Sequence, residues 1–222
     1  MKLKVKNWLI FGIILFIFLT FEIIFLFLGY DFNNLSYNNT LLMIYTKYFV
    51  FVFFFLIYYH QYLKDKWLDF KLNFKKYAKI AFKDWFTGLI IMYTTNIIIM
   101  RIIGTTGQNE EAVQNIIHYT PLIAFTLTTL FAPFIEEMIF RKTLQDCFHN
   151  QTLFMLSSGF IFGLIHVLGG TTLEYLLIIP YGALGVMFAH TLNKTNNIYA
   201  TIMVHAIHNG ALTLLSVMVS KL

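Results

Sequence analysis

The chain has 222 residues, of which 58% are hydrophobic and 12% charged, and 25 of them are phenylalanine. Soluble domains average about 45–50% apolar and about 25% charged residues, so this composition excludes a soluble globular protein, a disordered chain and a disulfide scaffold. It is typical of a membrane protein with many spans, and the net charge of +5 belongs to that setting.

A spanning helix needs roughly 20 apolar residues, and seven stretches approach that length. In chain order, the predicted spans are Trp8–Gly29, Leu41–Tyr62, Trp85–Ile103, Pro121–Phe140, Leu153–Leu168, Leu173–Leu192 and Ile198–Val219. The first stretch is too long for the core of a signal peptide and lacks a small-residue cleavage site, which favours a retained span. We therefore expect one all-α membrane domain over residues 1–222, a bundle of seven or eight transmembrane helices.

The distribution of basic residues predicts the orientation of the chain. Three lysines precede the first span, and seven more lie between Lys64 and Lys83. With the N-terminus in the cytoplasm, thirteen of the sixteen Lys and Arg residues lie on the inner side, as the positive-inside rule requires. The membrane topology therefore accounts for the positive net charge. No nucleic-acid partner is expected.

Two connecting segments carry further expectations. Lys64–Asp84 interleaves its lysines with aromatic and aliphatic residues. It is predicted to be an amphipathic helix on the inner membrane surface that contacts anionic lipids, with a solvated basic loop as the alternative. The segment Gly104–Tyr119 has no Lys or Arg and is predicted to be an outer loop.

The fourth predicted span contains the sequence Glu136-Glu137-Met138-Ile139-Phe140-Arg141. Each carboxylate in a spanning helix costs roughly 2.5–3.5 kcal/mol on insertion scales. Glu137 and Arg141 are four residues apart, in the favourable order for an ion pair. Glu136 then points about 100° away and faces elsewhere. Taken alone, this pattern is also consistent with a purely structural Glu–Arg clamp.

Other polar residues lie in later spans. His166 lies in the fifth span, and His205 and Asn209 share one helix face in the seventh. Glu136 and His166 are equidistant from residue 151 in the intervening polar turn, so an antiparallel hairpin places both roughly 22 Å from its apex. His205, about ten residues past the next turn, enters from the same side at roughly 15 Å. Glu22 in the first span is expected to be protonated or paired with another helix.

These motifs resemble those of the CPBP membrane proteases, which include the CaaX prenyl endopeptidases and the bacteriocin-processing or immunity proteins of the Abi family. The motifs are Glu136-Glu137-x-x-x-Arg141, Phe162-x-x-x-His166 and His205-x-x-x-Asn209, and the resemblance covers about residues 121–217. It implies a metal-free, cofactor-free glutamate endopeptidase with a polar cavity open to the cytoplasm.

The same resemblance implies a role for each motif residue. Glu136 would be the general base that activates water, and His166 would position that water. His205 and Asn209 would stabilise the oxyanion. Glu137, Arg141 and Phe162 would support the site.

The implied substrate is a hydrophobic, lipidated or membrane-associated peptide. A composition rich in Phe, Ile, Asn and Lys suggests a bacterial cell membrane, where a peptide pheromone, bacteriocin precursor or leader peptide is a better candidate than a prenylated protein. Three alternatives stay open: a non-catalytic scaffold or immunity protein, a transporter, and a zinc peptidase with Glu136, His166 and His205 as ligands. The chain contains no H-E-x-x-H motif, which argues against the last.

Overall fold

The computed structural model describes residues 2–104 and 107–219, and this part of the chain is helical with no β-strand. Its helices are α1 (Lys2–Thr20), α2 (Ile23–Phe27), α3 (Tyr37–Tyr58), α4 (His60–Ile103), α5 (Gln108–Tyr119), α6 (Pro121–Thr126), α7 (Ala132–Glu137), α8 (Gln151–Ile165), α9 (Ile178–Thr195) and α10 (Ile198–Val219). Two π-helical turns, Leu127–Phe131 and Met138–Thr143, continue α6 and α7 into one helical run. The predicted all-α class is confirmed.

Five helical runs of the described chain are long and apolar enough to cross a membrane. They are Tyr37–Tyr58, His60–Ile103, Pro121–Thr143, Thr172–Thr195 and Ile198–Val219. Two further apolar helices, Val5–Thr20 and Gln151–Ile165, are shorter. The molecule is thus a multi-pass membrane protein in which five of the predicted spans have full length. The first predicted span is not continuous, because α1 ends at Thr20 and α2 begins at Ile23.

The segment Lys64–Asp84 and the third predicted span form a single helix of 44 residues, α4. The prediction that they are two separate elements is wrong. No proline occurs in α4 and its first glycine is Gly88, so nothing in the sequence ends the helix between the two halves. At 1.5 Å per residue, α4 is about 66 Å long, which exceeds the roughly 40–45 Å of a complete bilayer.

Two polar clusters attach α4 to the last two helices. Asp84 is buried, and its Oδ2 atom lies 2.8 Å from His190 Nδ1 and accepts a hydrogen bond of 2.9 Å from Thr191 on α9. In the turn between α9 and α10, the fully buried Asn197 donates to Asp69 Oδ2 and to the Lys66 carbonyl, both at 2.8 Å. These contacts hold the lysine-rich half of α4 against the bundle.

Glycines allow α8 and α9 to pack closely. A Cβ atom on Gly163 would lie 2.5 Å from the Ile178 carbonyl oxygen, and one on Gly159 would lie 2.8 Å from the Gly182 carbonyl oxygen. Small residues at such positions are the usual way for membrane helices to approach each other. The close approach fixes α8, with its Phe162 and His166, against the face of α9.

The segment Gly104–Tyr119, predicted to be an outer loop, is not simply a loop, because Gln108–Tyr119 forms the helix α5. A left-handed Gly104 (φ 73°) ends α4, and Gly107 (φ 90°) precedes α5. These angles are accessible to glycine at little cost. At its other end, α5 stops at Thr120, directly before Pro121. The result is a short amphipathic helix beside the ends of α4 and α10.

Candidate active site

The adjacent carboxylates Glu136 and Glu137 lie on α7, between the two π-helical turns. Proline has no backbone N–H, so Pro133 cannot complete the helical hydrogen-bond ladder at that point, and the first π turn ends just before it. Such π-helical insertions often occur at functional sites.

The side chain of Glu137 is buried and contacts two basic side chains inside the protein. Its Oε1 atom lies 2.8 Å from His205 Nδ1, and its Oε2 atom lies 3.2 Å from Arg141 Nε. Both Glu137 and Arg141 are fully buried. The second distance describes an ion pair without well-aligned hydrogen bonding, since neither atom meets the geometry of a hydrogen bond. The i, i+4 spacing in the sequence predicted this pair.

Arg141 is further held by aromatic rings and one carbonyl. Its guanidinium lies 4.4 Å from the centre of the Phe162 ring and 5.5 Å from that of Phe188. Its Nη2 atom donates to the Gly185 carbonyl at 3.4 Å. Desolvated cation–π contacts of this kind are worth about 2 kcal/mol. The arrangement joins the end of α7 to both α8 and α9.

Glu136 has a different environment from its neighbour. Its Oε2 atom lies 3.7 Å from His205 Nε2, too far for a direct hydrogen bond, and has no hydrogen-bond partner in the described chain. The expectation that Glu136 faces elsewhere is therefore only partly right. The two carboxylates approach the two nitrogens of one imidazole ring, because α10 crosses α7 at this level.

The protonation of the His205 ring follows from its partners. A carboxylate such as Glu137 only accepts hydrogen bonds, so His205 Nδ1 carries a proton in the 2.8 Å contact. The ring stacks on Phe188, with 4.9 Å between ring centres. Its Nε2 atom is the nitrogen that faces Glu136.

His166 directs one nitrogen to the backbone of its own helix. Its Nδ1 atom lies 2.7 Å from the Phe162 carbonyl oxygen, so Nδ1 is the donor. In the neutral ring, Nε2 is consequently an acceptor. The ring stacks on Tyr181 of α9, with 4.7 Å between ring centres.

Asn209 binds the first π-helical turn. Its Nδ2 atom donates to the Thr128 carbonyl at 3.0 Å, and the Thr128 hydroxyl lies 2.9 Å from the hydroxyl of Thr213. One amide proton and the carbonyl oxygen of Asn209 are left for other partners. These bonds fix α10 against the helical run that carries Glu136.

All four candidate catalytic residues line one cavity of about 470 Å³. They are Glu136, His166, His205 and Asn209. The spacing argument predicted that Glu136, His166 and His205 could meet, and the structure brings them together. Their catalytic roles are a separate matter and stay a prediction. In the described chain, no three His, Cys, Asp or Glu side chains are grouped in a way that could hold a metal ion.

The cavity extends from the motif residues along one half of the bundle. Its walls there are formed by side chains of α4, α5 and α10, namely Met92, Tyr93, Asn96, Met100, Glu110, Val113, Gln114, Ile117, Leu212, Thr213 and Ser216. On α4, these residues lie in the apolar half, beyond the lysines of 64–83. The expected opening of the cavity to the cytoplasm depends on the orientation of the chain in the membrane and stays a prediction.

Several residues of the site were not predicted from the sequence. Tyr181 and Phe188 stack on the two histidines, and their spacing of seven residues on one face of α9 was an available signal. Thr128 gave no signal, since its carbonyl contributes the contact. His208, which had no assigned role, is buried and lines the same cavity.

The charges of the first spans form a pair of their own. Lys47 Nζ lies 2.8 Å from Glu22 Oε1, which resolves the two expectations for Glu22 in favour of pairing. Both residues line a smaller cavity of about 150 Å³. Neither residue lines the larger cavity.

Comparison with known proteins agrees with the motifs. A family model described as type II CAAX prenyl endopeptidase Rce1-like matches residues 118–211. A curated relative from Bacillus subtilis (strain 168), named "Putative membrane peptidase YdiL", is 32% identical over 110 residues. That alignment spans 48% of this chain and 42% of the relative, so the chain matches less than half of the relative's length. No solved structure matches the chain.

The matched segment contains every candidate site residue, from Glu136 to Asn209. The family resemblance drawn from the three motifs is confirmed. Residues 118–211 are thus similar to the Rce1-like type II CAAX prenyl endopeptidases, and this similarity covers the part of the chain that carries the candidate site.

Proposed function

We propose that the protein is an intramembrane glutamate endopeptidase that cleaves a hydrophobic, lipidated or membrane-associated peptide with activated water. The observation that carries this proposal is the contrast between two neighbouring carboxylates. Glu137 is fully buried between His205 and Arg141, whereas the Glu136 side chain is 15% exposed and lines the cavity, with its Oε2 atom 3.7 Å from His205 Nε2. A carboxylate with available lone pairs beside an imidazole suits general-base catalysis.

In the proposed reaction, Glu136 takes a proton from water while the water oxygen bonds to the scissile carbonyl carbon. His166 Nε2, an acceptor, orients the same water. His205 and Asn209 line the same cavity. His205, in its doubly protonated form, donates from Nε2 to the developing oxyanion, and Asn209 donates its second amide proton, a contribution of about 2.7–4 kcal/mol for each donor. The C–N bond then breaks, and Glu136 returns its proton to the leaving amine. No step needs a metal or a cofactor.

We place this activity in a bacterial cell membrane, with the N-terminus in the cytoplasm and the lysines of 64–83 near anionic headgroups of the inner leaflet. The proposal is supported by the exposed side chains of Lys64, Lys71, Lys75, Lys76, Lys79 and Lys83. Such side chains each gain about 1 kcal/mol near an anionic surface.

The decisive experiment compares wild type with Glu136→Gln at matched membrane expression. Glutamine keeps the size of the side chain but cannot act as a base, so we expect peptide products to fall at least about 100-fold, as for loss of general-base catalysis. Products are identified by mass spectrometry of membrane peptides. Glu111→Gln removes an equal charge outside the cavity and serves as the control.

Unchanged products in Glu136→Gln would mean that the motif is structural, and the scaffold or immunity interpretation would then take precedence. The zinc alternative is tested on the same preparations by metal analysis. Stoichiometric zinc that is lost together with activity on chelation would support it.

A further inference from the structure

The end of the large cavity remote from Glu136 has polar groups of its own. On α5, Gln114 Nε2 donates to Glu110 Oε1 at 2.6 Å and to the hydroxyl of Ser216 on α10 at 3.0 Å. All three residues line the cavity, and Glu110 is half-buried. The carboxylate of Glu110 is thereby held in the cavity wall.

The cavity walls contain carboxylates but no Lys or Arg side chains from the described residues. Two carboxylates, Glu110 and Glu136, and three histidines line the cavity, but no Lys or Arg does so within residues 2–104 and 107–219. The hydrogen-bond partner of Glu110 is a neutral amide, and the ion pairs of the described chain do not include this residue. At this end, a cationic group would meet the carboxylate of Glu110, whereas a substrate carboxylate would meet no Lys or Arg side chain from the described part of the chain.

We propose that Glu110 selects peptides that place a cationic group, a Lys or Arg side chain or a free N-terminal amine, at this end of the cavity. As a statement about peptide substrates, this inference rests on the proposed function. The apolar walls between the two ends, including Met92, Leu184 and Leu212, contact the intervening residues of the peptide.

Glu110 also has a simpler role from which the proposal must be separated. It lies in the first turn of α5, where acidic side chains stabilise the helix dipole. Glu111 occupies the same turn, is exposed and does not line the cavity. Glu111→Gln is therefore a matched control for helix stability and net charge.

The experiment measures binding of fluorescent apolar octapeptides to the detergent-solubilised Glu136→Gln variant. The peptides are N-acetylated and carry one Lys, norleucine or Glu at successive positions, and a further peptide has a free N-terminus and no Lys. A carboxylate–ammonium pair at a partly exposed site is worth up to about 1 kcal/mol, or about five-fold in Kd. We expect the best Lys peptide to bind about five-fold more tightly than its norleucine counterpart.

We expect Glu110→Gln to abolish this preference, Glu111→Gln to keep it, and Glu110→Lys to favour the Glu peptide. Tighter binding of the free-amine peptide would identify the N-terminus as the source of the cation. A Lys preference that is absent, or that survives in Glu110→Gln, overturns the inference. Cleavage by wild type is measured separately: selectivity without cleavage contradicts only the proposed function, and cleavage without selectivity contradicts only this inference.

Discussion

At the scale of single residues, the site depends on His205, because its two ring nitrogens face two different carboxylates. His205 Nδ1 binds Glu137, whose other oxygen pairs with the buried Arg141. The negative charge of Glu137 is therefore balanced, and it keeps the imidazole in one orientation. Glu136, with a side chain that is 15% exposed, faces the cavity. Two identical side chains acquire different chemistry from their surroundings.

We predict that Arg141→Met destabilises the protein by about 3–5 kcal/mol, the usual cost of leaving a buried charge without its partner. Thermal unfolding in detergent measures this effect. The neighbouring Lys142 forms an ion pair with Asp146 at 2.7 Å, but both side chains reach solvent or lipid. Lys142→Met is the control and should cost about 1 kcal/mol or less. Equal losses in the two variants would contradict a special role for the Arg141 pair.

The residues of the site differ in how far the sequence could predict them. The Glu137–Arg141 pair follows from helical spacing alone, because both partners are on one helix. Counting residues from the turn at residue 151 predicted that Glu136 and His166 lie at the same depth in an antiparallel helical hairpin. The contact of His205 with both carboxylates could not be predicted in this way, because it depends on the crossing of α7 and α10. The Thr128 carbonyl is a backbone group and leaves no trace in the sequence.

At the scale of elements, the close approach of α8 and α9 positions the aromatic rings of Phe162, Tyr181 and Phe188 around the site. We predict that Gly163→Ala destabilises the fold by about 1–3 kcal/mol, since overpacking displaces the backbone of α9. The control is Gly12→Ala on α1, where a Cβ meets nothing within 4 Å. That variant should gain about 0.5–1 kcal/mol from helix propensity.

Both glycine variants are compared by thermal unfolding in the same detergent. A stability of Gly163→Ala equal to that of Gly12→Ala would show that α8 and α9 can separate at no cost. The glycines of α8 are visible in the sequence, but their role in close packing is not. That role depends on contacts with α9, which are made by residues distant in the sequence.

At the scale of the whole molecule, α4 sets the relation between the bundle and the bilayer. The sequence shows where the charged half ends and the apolar half begins, but composition alone cannot show whether the backbone turns between them. We expect the continuous helix to place the lysine-rich half outside the apolar layer. An interfacial helix would instead lie in the plane of the membrane.

This difference gives a topological prediction. Leu72→Cys, at a position 86% exposed in the lysine-rich half, should react readily with a membrane-impermeant maleimide in inside-out vesicles. Phe86→Cys, 62% exposed in the apolar half, should react at least about ten times more slowly because lipid covers it. Protection of both positions would show that the lysine-rich half lies in the membrane interface.

The two polar anchors of α4 have a mechanical consequence. Asp84 is bound by His190 and Thr191, and Asp69 by Asn197, so the anchors are fifteen residues, or about 22 Å, apart along the helix axis. A rod that is held at two points cannot pivot about either of them. Asn96, in the cavity wall, lies twelve residues, or about 18 Å, beyond Asp84. We therefore expect a force on the lysine-rich half to move this wall only together with α9, and the width of the cavity to stay the same.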